Sequence, residues 1–218
     1  MTLVLAIDTA LTRAIVALGR SEGTLVESTT WVAGHRHGEE LLPRLEALLT
    51  ATRVALRDVG GVIVGTGPGA FTGLRVGIAT AKALAHGLGC PIVGVSTAEA
   101  LLAAGRGAGR ALLLPAGPSD RVLVRDGVAA LLPKGLDLPS GVEVDLVAVD
   151  LAGRATDESL ARGELAVAGF ASALVRIGAE RLARGDVDDL ARLVPEYVTL
   201  PRGVTRSSGE VEWSRGPR

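Results

Sequence analysis

Aromatic residues are almost missing from this 218-residue sequence: Trp31, Phe71, Phe170, Tyr197 and Trp213 are the whole supply. A surface that stacks unpaired bases is built from aromatic side chains, so a single-stranded RNA platform is not expected. Cysteine is lacking too. Cys90 is the only one, which rules out an internal disulfide, and its setting between Gly89 and Pro91 ahead of an apolar run reads as a small buried residue. Charge of one sign is not in excess, because 23 basic and 24 acidic residues leave a net −1, and the totals carry no electrostatic footprint for nucleic acid. Long apolar runs are absent as well. The opening stretch LVLAI stops at Asp8, far short of the roughly 20 residues a membrane span needs, and no signal peptide is visible, so a cytoplasmic protein without a membrane contact is expected. Of the histidines, His35 and His37 lie two apart with no cysteine nearby, and no His-x-x-x-His pair occurs, so no metal site is expected.

Glycine, by contrast, is plentiful, and residues 65–77 read GTGPGAFTGLRVG between the strand candidate Gly61-Val62-Ile63-Val64 and a helix candidate from Leu74 to Leu88. Gly65, Gly67, Gly69 and Gly73 allow backbone angles closed to other residues and would let a phosphate or another backbone come close. A Walker loop needs Gly-Lys-Ser/Thr, and here Gly73 is followed by Leu74 and Arg75. A dinucleotide fingerprint needs an acid after the next strand, where Ser96 and Thr97 stand. No Walker loop is present, and a dinucleotide site, which permits Ala70 at its third glycine position, is left with only the weak Gly-x-Gly pattern. A tight strand-to-helix turn needs only the glycines, and leaves Phe71, Thr72 and Arg75 unexplained.

Periodicity lays out the first hundred residues. Leu3 to Ile7, Ala14 to Leu18 and Leu25 to Trp31 form a three-strand meander. Gly38 to Thr52 follows as an amphipathic helix, with Leu41, Leu42, Leu45, Leu48 and Leu49 at three-and-four spacing. A strand at 61–65, the helix from Leu74, a strand from Ile92 to Val95 and a helix from Thr97 complete the order βββαβαβα. That order fits the ribonuclease-H-like lobe shared by actin, sugar kinases and Hsp70 ATPases. Residues 1–105 are expected to form this lobe, carrying the glycine loop. A charged, glycine-rich junction at 106–110 opens a smaller second lobe over 106–200, with strands at Ala111 to Leu114, Arg121 to Arg125, Gly127 to Leu132 and Asp145 to Val149, and a helix from Val167 to Ala183. It looks like a shortened copy of the first. Residues 201–218 have no apolar period and are expected to be a disordered tail.

The loop residues Gly67, Pro68, Gly69, Phe71, Thr72, Gly73, Leu74, Arg75 and Gly77 match the signature GPG-x-FTGLR-x-G and resemble the bacterial TsaB (YeaZ) family. LAIDTA from Leu5, HGEELLP from His37 and Pro195-Glu196-Tyr197-Val198 are similar to further stretches of that family. The resemblance implies an α/β, two-lobed actin-like ATPase fold of the Hsp70/sugar kinase superfamily with a reduced second lobe. It implies a non-catalytic subunit of the machinery that transfers threonylcarbamoyl from threonylcarbamoyl-adenylate to the adenosine beside the anticodon of tRNA. The partners it implies are the catalytic paralogue TsaD and the ATPase TsaE, with a homodimer when TsaD is absent and tRNA touched indirectly. No cofactor is expected to bind this chain tightly, ATP and magnesium being expected at the partner subunits. By the same resemblance, Leu41, Leu45, Arg75, Ala81, Lys82 and His86 lie near the partner contact, while Gly67, Gly69, Phe71, Thr72 and Gly73 set the loop geometry.

Two features leave alternatives open. Asp8, Thr9 and Thr12 are half of an actin-like nucleotide site, but their turn lacks a glycine, and the second lobe offers Pro115-Ala116-Gly117-Pro118 where such a site needs an aspartate; Asp120 comes late. A strand-end carboxylate bonded to the amides of its own turn accounts equally well for Asp8. The helix after the loop is apolar nearly all round, and Gly73, Gly77, Ala81 and Ala85 fall four apart as a small-residue stripe. That stripe suits packing on the lobe's own sheet and a subunit contact alike; on the second reading, Ala81→Arg would abolish pairing and leave the monomer folded. Ser96 has the position of a nucleophile elbow, yet Ser96-Thr97-Ala98-Glu99 is also a capping box, and no histidine follows it in the chain, as a hydrolase order would require. A small ATP-binding phosphotransferase and a peptidase are thus the rival functions.

Overall fold

The computed structural model describes residues 2–34, 36–105, 111–116, 119–139, 141–142 and 145–198. The junction at 106–110 and the tail from 201 lie outside them. Strands β1 (Leu3–Asp8), β2 (Arg13–Arg20), β3 (Leu25–Val32), β4 (Val59–Gly65) and β5 (Ile92–Val95) form one sheet in the order β3-β2-β1-β4-β5. The meander β1-β2-β3 is antiparallel, and β4 and β5 join parallel to β1. Strands β6 (Ala111–Ala116), β7 (Asp120–Arg125), β8 (Val128–Leu132) and β9 (Leu146–Ala148) form a second sheet in the order β8-β7-β6-β9. Its pairing repeats the first: β6 antiparallel to β7, β7 antiparallel to β8, and β9 parallel to β6. The second sheet is the first without its fifth strand, as the actin-like fold with a reduced second lobe requires.

The apolar runs of β1, β2 and β4 are continuous because both faces of the first sheet are covered. Leu5, Ile7, Val16, Leu18, Val62 and Val64 face helices α1 (His37–Thr52) and α2 (Phe71–Leu88) in one core cluster. Alternate residues Val4, Ala6, Ile15 and Ile63 face a second cluster that also holds Leu112, Leu114, Val122 and Val147 of the second sheet. Between the sheets lie α3 (Thr97–Ala104) and α4 (Asp157–Ala183), so the two sheets share one core. Each large side chain buried there contributes about 1.5–3 kcal/mol.

Helix α4 starts ten residues earlier than the periodicity predicts. Thr156 caps it by accepting from the Ser159 amide, with Asp157 and Glu158 in the first turn. Interior Gly163 hides that start from a propensity reading, and packing explains it: a Cβ there would stand 1.8 Å from the Ala148 carbonyl oxygen. Helix α2 likewise begins at Phe71 rather than Leu74. The predicted cap of α3 is present, Ser96 Oγ accepting from the Glu99 amide at 3.5 Å.

Candidate functional site

The turn leaving β1 and the glycine loop leaving β4 reach the same end of the first sheet, where they bind each other. Asp8 is wholly buried; its carboxylate accepts from the Ala10 amide at 2.8 Å and from Thr97 Oγ at 2.7 Å. Burial raises its pKa from 3.8 to about 6 against the pull of those two hydrogen bonds. Thr9 Oγ donates to the Gly73 carbonyl at 2.7 Å, and the Ala70 amide donates to the Ala10 carbonyl at 2.7 Å. The Thr12 amide is held from the second half of the chain, by Asp150 Oδ2 at 2.9 Å. Thr97 Oγ also accepts from the Gly67 amide, so Thr97, which sequence reasoning passed over, joins the loop to Asp8.

The glycines of the loop answer to this contact. A Cβ on Gly69 would stand 2.2 Å from the Ala10 carbonyl oxygen, one on Gly73 2.0 Å from that of Thr9, and one on Gly77 2.2 Å from Thr9 Oγ. Gly65 lies against Asp8, with 1.7 Å to Oδ2. What approaches these glycines is the chain's own turn from Asp8 to Ala10, by backbone at Gly69 and Gly73 and by side chain at Gly65 and Gly77. Of the two readings of Asp8, the strand-end carboxylate bonded to its own turn is the one the geometry displays. Thr9 serves the same closure.

A cleft of about 640 Å³ opens beside this knot, lined on one wall by Ala10, Leu11, Thr12, His37 and the loop from Pro68 to Gly73, and on the other by Leu114, Pro115, Ala116, Val122, Asp150 and Arg154. Asp8 and Thr9 are not among its lining residues. The wall supplied by the end of β6 is apolar, and Asp120 instead accepts from the Lys134 amide. Asp150, which the sequence did not single out, is the carboxylate that reaches across, with Arg13 3.8 Å away and Arg13 in turn bound twice to Glu164 at 2.7 and 2.8 Å. Among the described residues no group of three or more His, Cys, Asp or Glu side chains is placed to hold a metal ion, and no helix is long and apolar enough to cross a membrane.

The small-residue stripe of α2 resolves in favour of the lobe's own packing. Gly73 and Gly77 rest on Thr9, and Ala81 and Ala85 are buried in the core cluster beside α1. Leu41 and Leu45, expected near a partner contact, are buried in the same cluster. Ala81 is 0% exposed, so Ala81→Arg cannot leave the monomer folded: the guanidinium would displace core side chains. Lys82 donates to the Leu193 carbonyl at 3.0 Å and is half-buried under the C-terminal segment. Arg75 is exposed, with its guanidinium 4.0 Å above the Phe71 ring and its Nε donating to the Tyr197 hydroxyl at 3.0 Å. Thr72, Arg75, Ala79, Ala83 and His86 form the outer face of α2, and Leu42, 55% exposed, stands on the outer face of α1. The outer face of α2 therefore holds one permanent charge, at Arg75, and little else to keep it in water.

Residues 31–198 match the family model described as TsaD, tRNA N6-adenosine threonylcarbamoyltransferase. The chain is 40% identical over 94 residues to the tRNA threonylcarbamoyladenosine biosynthesis protein TsaB of Escherichia coli, a match covering 43% of this chain and 40% of that protein. TsaB of Bacillus subtilis is 37% identical over 103 residues, 47% of this chain and 44% of its own length. The alignments thus span less than half the length of the curated relatives. Among solved structures, YeaZ from Pseudomonas aeruginosa superposes with a TM-score of 0.67 at 27% identity, covering 90% of this chain and 100% of that one.

Proposed function

Because the chain belongs to the tRNA N6-adenosine threonylcarbamoyltransferase family, in its TsaB/YeaZ branch, we propose that it is a non-catalytic subunit of tRNA threonylcarbamoyladenosine synthesis, pairing with TsaD and ordering the active cleft of that paralogue. The observation that carries this reading is the closure of the glycine loop on the β1–β2 turn. The Ala10 and Thr12 amides of the β1–β2 turn and the Gly67 and Ala70 amides of the glycine loop are all bonded within the chain. Electrostatic stabilisation of phosphoryl transfer needs donors free to follow the charge that develops on the phosphate oxygens. Here the donors are spent on holding a loop, and what the loop holds is the first turn of α2.

The outer faces of α1 and α2 are the proposed contact. Leu42, Ala79 and Ala83 supply apolar area, Arg75 a directional charge, and His86 the far margin. Leu41, Leu45 and Ala81 act from beneath by setting the spacing of the two helices. In the absence of TsaD the same face pairs two copies of this chain. TsaE joins the assembly, and ATP, magnesium and tRNA are engaged through the partner subunits. Calorimetry tests the reading: titrating TsaD into the purified chain is to release saturable heat, and titrating magnesium-ATP is to release none. Saturable ATP binding with no TsaD pairing would replace this reading with the small phosphotransferase.

A further inference from the structure

The last described stretch of the chain, residues 186–198, runs back over the first sheet as a strap. It first covers the open edge of β5: the Asp188 amide donates to the Ile92 carbonyl, and the Asp188 carboxylate accepts from the Gly94 amide at 2.8 Å. It then fixes Thr66 on both sides, the Glu196 amide donating to the Thr66 carbonyl at 2.8 Å and Thr66 Oγ to Glu196 Oε1 at 2.7 Å. Thr66 is the second residue of the glycine loop. At its end, Tyr197 sets its ring 5.0 Å from that of Phe71, the first residue of α2, and its hydroxyl accepts from Arg75.

We infer that Tyr197 is a positioning residue for the partner-facing end of α2, and that the strap is an integral part of the TsaD-binding surface. The inference rests on the function proposed above. A free arginine side chain on a helix surface samples many rotamers, and fixing one on binding costs the complex affinity. Arg75 is spared that cost: the Phe71 face attracts its guanidinium from below and the Tyr197 oxygen fixes its direction. Phe71 is itself steadied by the Tyr197 ring. The surface presented to a partner is therefore assembled from residues 71–75 and from a residue 122 positions further on.

The test is a double-mutant cycle read by the dissociation constant for TsaD. Tyr197→Ala weakens pairing about three- to tenfold, the range expected for releasing one ordered long side chain. Tyr197→Phe, which keeps the ring on Phe71 and removes the oxygen, falls between Tyr197→Ala and the unaltered chain, and serves alone if Tyr197→Ala does not fold. In an Arg75→Ala background, Tyr197→Ala costs less than about twofold, because the side chain it positions is gone. An equal loss in both backgrounds, or no loss in either, overturns the inference while the proposed function stands. Absence of pairing by the unaltered chain overturns the proposed function and this inference together.

Discussion

Replacing Gly73 by alanine should destabilise the protein even though alanine is the better helix former. A Cβ at this position would lie 2.0 Å from the Thr9 carbonyl oxygen, so α2 or the turn must recede by more than an ångström to restore the 3.4 Å of ordinary contact. Both are backbone and neither can rotate away. Overpacking of this kind costs about 1–3 kcal/mol. The shift also stretches the bond from Thr9 Oγ to the Gly73 carbonyl, adding about 1 kcal/mol, while the helix gains about 1 kcal/mol from losing a glycine. The net expectation is a loss of about 1–3 kcal/mol, or roughly 3–10 °C in Tm for a chain of this length. Gly87 in the same helix provides the control, since nothing lies within 4 Å of its would-be Cβ. Gly87→Ala is expected to be neutral or to stabilise by up to about 1 kcal/mol. Urea denaturation of the two variants decides. If Gly73→Ala behaves like Gly87→Ala, the loop is not packed on the β1–β2 turn, and the argument against a phosphate cradle fails with it.

Further expectations concern Asp8, the inter-sheet bridge and the outer helix face. A carboxyl whose folded pKa is raised to about 6 contributes stability while protonated, fully below its ordinary 3.8, and loses that contribution as pH rises through 6. The stability of the unaltered chain relative to Asp8→Asn should therefore be greater near about pH 4.5 than about pH 7.5, by roughly 2 kcal/mol; a difference that instead grows with pH would contradict the assignment. Arg13→Ala breaks the paired bond to Glu164 and the neighbourhood of Asp150, but Glu164 is 67% exposed. About 0.5–1 kcal/mol is expected, shrinking as salt is added, and a salt-independent loss would mean that packing rather than charge is at stake. Leu42→Glu, on the exposed face of α1, should leave the urea midpoint within about 0.5 kcal/mol of the unaltered chain and abolish TsaD pairing, whereas Ala81→Arg should unfold the lobe. Retained pairing by a folded Leu42→Glu variant would move the contact elsewhere.

The architecture was legible in the sequence because β1, β2, β4 and β5 of the first sheet are buried on both faces, so they read as short apolar runs between turn residues, and the order of elements follows directly. The copy in the second half was visible in outline because β6 and β9 are short buried apolar runs of the same kind. What could not be read is where side chains point once two segments distant in sequence meet. The stripe from Gly73 to Ala85 looks the same whether it receives a partner or the turn at Thr9, and only the Cβ geometry separates these. The bonding partners of Arg75 and Lys82 could not be read from the helix, because the strap that takes them, at Tyr197 and Leu193, lies more than a hundred residues away. Thr66, Thr97 and Asp150 were not candidate site residues in the sequence; each matters through bonds to segments distant in the chain. For Asp8 the sequence offered the bond to its own turn as one of two readings, and its second partner, Thr97, lies 89 residues away.

The most direct test of the account is reconstitution of threonylcarbamoyl transfer to tRNA from threonylcarbamoyl-adenylate, TsaD, TsaE and this chain, with each protein omitted in turn. The account predicts that transfer falls away when this chain is left out and that the chain alone produces none. Transfer that proceeds unchanged without it, with every protein shown to be folded, would contradict the accessory role.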